Sequence, residues 1–436
     1  MEFKKYKIEE IGTVVGGGTP STKNDNYYGG NISWITPKDL SNYSNRYIYH
    51  GERNITEEGL NNSSAKLVPT DTILMTSRAP IGYLALAGKK VATNQGFKSI
   101  ICNEEIVSPK YLYYLLQNKI DNIKSLGTGS TFSEISGKVV KNIEVSLPNL
   151  LNQKRVEKVL DSIDEKIELN QKIITNLEEL SQTLFKRWFV DFEFPDENGN
   201  PYKSSGGEMI DSELGEIPLN WKCSKIKDIN VIISDHVANG SFKSLKENVQ
   251  FTEDLNDKYA VFARNVDLKK GDNRFEKYVT KSSYEFLRKS HLHGHEVIIS
   301  NVGDVGSVYL SPILNRPMVL GNNQIFINSD EKSLNYYFYL FFKSSIGKNL
   351  IDSITSGSVQ MKFNKTDLRN SLIVFPCKND MNNLITVIKK YIYSIENKKS
   401  ENMQLIQLRD TLLPKLMSGE IEIPDDIEVN EDELSI

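Results

Sequence analysis

Long apolar runs, a cysteine framework and paired prolines are all missing from this 436-residue sequence, and each absence removes a class of function. Nowhere do eighteen apolar residues follow one another without charge, and the opening MEFKKYKIEE has no apolar core of a signal peptide. We therefore expect a chain that neither enters nor crosses a membrane. Cys102, Cys223 and Cys377 are spaced too widely for disulfide or metal-ligand patterns, which fits a reducing, cytoplasmic location. Without Pro-Pro there is no Asn/Asp-Pro-Pro-aromatic motif, with which amino-methyltransferases hold a flipped base. Gly16-Gly17-Gly18 runs into Thr-Pro-Ser and fails the dinucleotide pattern. The stretch from Gly82 to Gly88-Lys89-Lys90 is one residue too long for a phosphate loop and has Lys where Ser or Thr would bind magnesium. The one acid-acid-lysine match, Asp164-Glu165-Lys166, lies in a heptad stretch and reads as a solvated helix face. No catalytic residue, metal site or cofactor is expected in this chain.

A uniform basic coat is missing too, since 53 Lys and Arg face 57 Asp and Glu. The charge is instead segmented. Residues 1–148 carry 17 basic and 14 acidic groups and residues 221–379 carry 22 and 16, whereas 195–220 carry 1 and 6 and 420–436 carry 0 and 8. Two mildly basic blocks separated by acidic stretches imply a weak attraction to phosphate, so nucleic-acid binding must also use shape and hydrogen bonds.

What is present is a repeat. GTGSTFSEISGKVVKNIEVSLP at 127–148 and TSGSVQMKFNKTDLRNSLIVFP at 355–376 both run from a Gly-Ser turn to a Pro stop, with an offset of 228. Upstream, ILMTSRAPIG at 73–82 faces VIISNVGDVG at 297–306, YLYYLL at 111–116 faces YYFYLF at 336–341, and Asn94-Gln95 faces Asn323-Gln324. Short β-rich runs cut by Gly, Pro and Asn turns predict an irregular, mostly β unit with a few helices in each copy.

After each unit comes a different pattern. Residues 152–189 contain no Gly or Pro and carry a seam stepping by four and three through Val156, Leu160, Ile163, Ile167, Asn170, Ile174, Leu177, Ser181, Leu184 and Trp188, apolar at eight of ten positions. Shifted by 228, a second seam runs through Leu384, Ile388, Tyr391, Ile395, Lys398, Asn402, Leu405, Arg409, Leu412 and Leu416, with polar interruptions mid-helix. Each stretch predicts a helix about 55 Å long. The two helices are expected to bury each other, with Asn170 and Asn402 setting register; the bland alternative packs each helix on its own unit. His291, His293 and His295 alternate, which on a strand would align three imidazoles for a metal, but a variable or DNA-facing loop is the favoured reading.

These residues resemble the specificity subunit of type I restriction-modification enzymes along essentially the whole chain. GGTPST at 17–22 with GGNISWITPKDL at 29–40, QTLFKRWFVDFEFP at 182–195 with SELGEIPLNW at 212–221, and LRDTLLPKLMSGEI at 408–421 carry the resemblance. It implies an α+β fold class: two tandem, mostly β target recognition domains separated by two long antiparallel coiled-coil helices with a pseudo-two-fold. The expected boundaries are 1–148 and 221–379 for the recognition domains, 149–194 and 380–418 for the spacer helices, 195–220 for an acidic linker and 419–436 for a solvated or partner-facing tail. The resemblance implies that each domain reads half of a split target in double-stranded DNA, while the helices set the gap. It also implies two methyltransferase subunits and restriction subunits as partners, which would hold the S-adenosylmethionine, ATP and Mg. In the second copy NVIISDHVANGS replaces GGTPST, so that motif's role does not carry across. The rival readings are the recognition part of a restriction-methylation enzyme whose catalytic part lies elsewhere, and a helical repeat scaffold.

Candidate DNA-binding residues are those whose hydroxyls, amides and cations suit phosphates and base edges. In the first copy they are Thr19, Ser21, Thr22, Lys23, Lys38, Arg78, Ser130 and Thr131. In the second they are Lys243, Arg264, Asn265, Asn301, Ser358, Gln360 and Lys362. Asn94, Gln95, Asn323 and Gln324 are read as turn-fixing groups.

Overall fold

In each half of the chain the first short strand runs antiparallel to the last, tying a globular unit shut where a long helix leaves it. The computed structural model describes residues 2–424 apart from 42, 44, 79, 129–132 and 359. In it Lys4–Lys7 pairs with Glu144–Leu147, and Lys222–Lys225 pairs with Leu372–Phe375. The chain divides into two compact units, Met1–Leu169 with the chain from Asn402 on, and Asn170–Glu401.

Both units repeat one topology. In the first, a sheet is ordered Gly12–Gly16, Lys98–Cys102, Ile73–Ser77, Ile81–Ala87, Tyr47–Ile48; in the second the order is Ile232–Asp235, Gln324–Asn328, Val297–Ser300, Val308–Leu310. A second sheet in each unit has a parallel central pair, Tyr28–Ile35 with Val91–Thr93 and Ala260–Ala263 with Met318–Leu320. An aromatic helix, Pro109–Asn118 or Lys332–Lys343, supplies much of each core.

The 228-residue offset holds at the level of single hydrogen bonds. Thr128 and Glu134 exchange backbone bonds, as do Ser356 and Lys362; Ile135 N donates to Ser77 O, as Phe363 N does to Asn301 O. One expected match fails. Ser77 N donates to Gly96 O while Asn301 N donates to Asn323 O, so Asn323 occupies the place of Gly96 rather than Asn94. Matching the Asn-Gln letters slipped the register by two, because the ladder counts hydrogen bonds rather than residue identities.

The helices run from Leu150 to Phe185 and from Lys378 to Ser418. Asn149 caps the first, accepting from Asn152 N at 2.9 Å. Within the first unit Arg409 pairs with Asp164 at 2.8 Å and Asn402 Nδ2 donates to Ile167 O at 3.3 Å. Within the second, Lys399 lies 3.5 Å from Glu178, and Phe185 packs in one core with Leu384 and Ile388. Numbers rise on one helix as they fall on the other, so the pairing is antiparallel. Leu160, Ile163, Asn170, Ile174, Ile388, Ile395 and Asn402 are buried; Ile167, Leu177, Leu184, Leu405 and Leu412 are half-buried. Ile385, Ile392, Leu413 and Met417, off the predicted seam, are buried as well. The helices therefore bury each other and the globular cores too, and the last turns of the second helix join the core of the first unit, with Val156, Leu160 and Tyr111.

Three boundaries differ from expectation. The first helix stops at Phe185 and continues as a π turn over Lys186–Val190, closed by Asp191 N donating to Lys186 O at 2.9 Å. Trp188 consequently leaves the seam for a cluster with Phe185, Phe189, Phe192, Phe194 and Trp221. Residues 195–220 are not a solvated linker: Tyr202 stacks on Phe194, and Met209–Ser212 pairs with Gly215–Pro218 as a hairpin. Glu197, Glu208, Asp211, Glu213 and Glu216 are exposed while Ile217 and Pro218 are buried, a split that net charge conceals. The tail expected from 419 begins packed, with Ile423 buried and Ile421 half-buried in the first unit's core; its residues 425–436 lie outside the described residues. No helix among the described residues is long and apolar enough to cross a membrane.

Candidate nucleic-acid interface

In the first unit the GGTPST loop is seated by its glycines. A Cβ on Gly17 would fall 2.0 Å from Asn94 O, and one on Gly18 2.2 Å from Ala65 N, so only glycine lets the backbone lie this close to the sheet. Gly18 N donates to Thr93 O at 2.9 Å and Trp34 Nε1 donates to Gly18 O at 3.0 Å. Anchored this way, the loop turns Ser21, Thr22 and Lys23 out to solvent, while half-buried Thr19 bonds Gln95. Arg78 follows Ser77, whose amide holds Gly96, so Thr19, Gln95 and Arg78 meet at one corner of the sheet. Arg78 faces Glu134 at 3.6 Å. Ser130 and Thr131 lie outside the described residues. Lys38 is elsewhere, exposed beside a groove lined by Thr22, Asp25, His50, Glu52 and Arg53, and a 2.7 Å hydrogen bond to Glu52 raises its pKa.

The second unit brings fewer candidates together. Asn301, Val302, Ser356 and Lys362 form its equivalent corner, with Lys362 bridged to Val302 and to Ser356; Ser358, Gln360 and Lys362 are exposed. Asn301 is structural, its Nδ2 donating to Phe363 O at 3.2 Å. Arg264 is tied inward by two 2.7 Å bonds to buried Asp267 and one of 3.0 Å to Glu276; the Asp267 contact comes first in raising its pKa. That fork is occupied by two carboxylates. Asn265 lies within 3.4 Å of Asp304, which also takes Lys269. Lys243 is exposed on the helix Phe242–Asn248, with Glu247 at 4.0 Å, a pairing worth little at the surface.

The turn-fixing reading suits three of the four amides. Asn94 Oδ1 accepts from Gly96 N at 2.8 Å, and Asn323 adopts a left-handed φ of 63°. With its amide oriented to make both bonds, buried Gln324 spans Ala263 O (2.9 Å) and Asn265 N (2.7 Å). Gln95, by contrast, is exposed. The histidines part company: His291 stacks on Tyr284, His293 is exposed, and His295, at φ 68°, is buried with Nδ1 2.9 Å from Tyr336 Oη and Nε2 2.7 Å from Glu396.

Sequence reasoning missed two features. One is an ionic lock in the first unit. Arg46, from a loop, contacts Asp161, Asp164 (3.9 Å) and Glu168 (3.0 Å) of the first helix; Tyr114 Oη donates to Asp161 (3.0 Å) and Asp164 (2.7 Å), and Lys110 pairs with Asp161 at 2.6 Å. Burial opposes the Arg46 charge, but the contacts with Glu168, Tyr114 and Asp161 outweigh it and raise its pKa. The lock fixes the recognition sheet to the helix by charges that, in sequence, look like a solvated face. The other is an apolar groove in the second unit of about 500 Å³, lined by Val237, Phe242, Leu245, Phe251, Val302 and Asn323 among others.

The comparisons with known proteins bear on this geometry. Residues 1–179 and 218–406 match the type I restriction modification DNA specificity domain. The chain is 34% identical over 428 residues to the type I restriction enzyme MjaIX specificity subunit of Methanocaldococcus jannaschii, covering 96% of this chain and 93% of that one. It is 24% identical over 386 residues to the HindI specificity subunit of Haemophilus influenzae, covering 74% and 80%. Its fold is like that of the S subunit of a type I system from M. genitalium, with a TM-score of 0.55 at 15% identity, over 95% of this chain and 96% of that one. Repeat, paired helices and family match together place the chain in the type I restriction-modification DNA specificity family, as a DNA-recognising specificity subunit.

Proposed function

We propose that the chain is a non-catalytic subunit in which each unit reads one half of a bipartite target in double-stranded DNA. The observation that carries this is one topology used twice, with the same hydrogen-bond frame and different side chains at its corner: Arg78, Thr19 and Gln95 in one copy, Val302, Val237 and Phe242 in the other. A frame held constant while its display changes is what two different half-sites require. The candidate contacts in the first unit are Thr19, Ser21, Thr22, Lys23 and Arg78; in the second they are Lys243, Ser358, Gln360 and Lys362. The long helices set the gap and dock two methyltransferase subunits, to which restriction subunits add. S-adenosylmethionine, ATP and Mg belong to those partners, and the purified chain alone is inert in methyl transfer, cleavage and ATP hydrolysis. The reading is tested by exchanging the first recognition unit for a relative's and mapping methylated adenines in cells that express all subunits. The exchange must run through Glu168, so that Arg46 keeps its carboxylates. One half of the methylated motif should change; a change in both halves would overturn independent reading.

A further inference from the structure

The apolar groove of the second unit is out of character for a surface that meets DNA by charge alone. Phe242 is 85% exposed and Val237 65% exposed, and Phe251 adds a further face to the same wall. Val237 and Phe242 follow Ile232–Asp235 as the GGTPST loop follows Gly12–Gly16 in the first unit, and Phe251 comes from the strand Phe251–Thr252 of the other sheet. At the corner itself Val302 replaces Arg78, since Val302 pairs with Lys362 as Arg78 pairs with Glu134. Within the groove the potential charges are muted. Asp235 pairs with Lys365 at 3.0 Å and caps Ala238 N, while His236 is buried, and that burial lowers its pKa. Exposed Lys246 lines the same groove and Lys243 is exposed on the same helix, charges suited to a phosphate backbone.

Resting on the reading that this corner faces DNA, we propose that the groove recognises the C5-methyl group of a thymine in the half-site read by the second unit, through Phe242 with Val237 and Val302. The thymine methyl is the one apolar group a base pair presents in the major groove, so it is the feature an apolar corner distinguishes. The first unit's Arg78 and Thr19 instead suit hydrogen-bonding base edges.

Deoxyuridine isolates this contact, because it differs from thymine only in that methyl. The assembled complex of this chain with its methyltransferase subunits is titrated with duplexes carrying the mapped target, each thymine in turn replaced by deoxyuridine. One position in the second unit's half-site should weaken binding about fourfold, the worth of one buried methyl. Phe242→Ala should remove the response at that position alone; the side chain is exposed, so the variant folds. A scan with no methyl-sensitive thymine in that half-site, or a response unchanged in F242A, overturns the proposal. A flat scan in which F242A instead weakens assembly with the methyltransferase subunits overturns it in favour of a protein partner. Exchanging the second unit for a relative's separates this failure from that of the underlying reading: if the exchange leaves both half-sites unchanged, the unit does not read DNA at all.

Discussion

Arg46→Met is the sharpest test of how a recognition unit is held. The guanidinium side chain is 7% exposed and faces Asp161, Asp164 and Glu168, whose side chains are 11%, 4% and 25% exposed. Methionine fills much of the same volume, so packing changes little while the three carboxylates lose their central cation. Lys110 and Arg409 remain, but they reach Asp161 and Asp164 rather than Glu168. Removing one partner of a buried pair typically costs about 3–5 kcal/mol. At about 2–4 °C per kcal/mol for a unit of this size, the first unit should melt roughly 6–20 °C earlier. Differential scanning calorimetry of the full chain at pH 7 and low salt should show that transition move while the second unit's stays. Adding Asp161→Asn and Glu168→Gln to the variant removes the unpaired charge and should recover part of the loss. A melting point for Arg46→Met within 2 °C of the parent, or no recovery in the triple variant, would refute the lock.

Both helices are anchored in both cores, so a helix insertion must be made twice to lengthen the gap: four residues between Asn170 and Ile174 and four opposite them add about 6 Å and about 400°, a little over one whole turn. Adenine mapping should then show the same two half-sites one or two base pairs further apart; an unchanged gap from an active complex counts against the helices as the spacer. Truncation after Ser418 removes Ile421 and Ile423 and should destabilise the first unit by about 2–4 kcal/mol, whereas truncation after Pro424 should leave melting and target sequence unchanged. Burial lowers the His236 pKa below its usual 6.5, so the folded form binds fewer protons than the unfolded one; its contribution is whole above that value and is lost as pH falls through the depressed folded pKa. His236→Gln should flatten the second unit's melting temperature between pH 7 and pH 5, and an unaltered slope would remove this histidine from the account.

The parts legible in the sequence are those with a period or a conformational demand. The 228-residue offset showed because Gly-Ser turns and Pro stops mark the same points of both copies, and the seam showed because steps of three and four survive only on a helix. Gly17 and Gly18 open the GGTPST motif, and the structure adds that close backbone approach requires glycine there. Arg46 and Arg264 show the limit. A buried, forked guanidinium and a solvated one are the same letter, and only the carboxylates brought in from elsewhere, Asp161 and Glu168 for one, Asp267 and Glu276 for the other, decide which it is. Phe242 and Val237 escaped notice because an exposed apolar residue carries no local pattern; its meaning comes from the polar corner it replaces in the other copy.

The π turn at Lys186–Val190 has a bearing on how such chains diversify. Upstream of Phe185 the helix obeys a spacing that tolerates whole heptads gained or lost; downstream, Trp188, Phe189, Phe192 and Phe194 sit in a fixed aromatic socket around Trp221. A turn with one surplus residue is a phase break between the two. A matched change of length in the two helices upstream of it therefore leaves the phase of the socket residues unaltered.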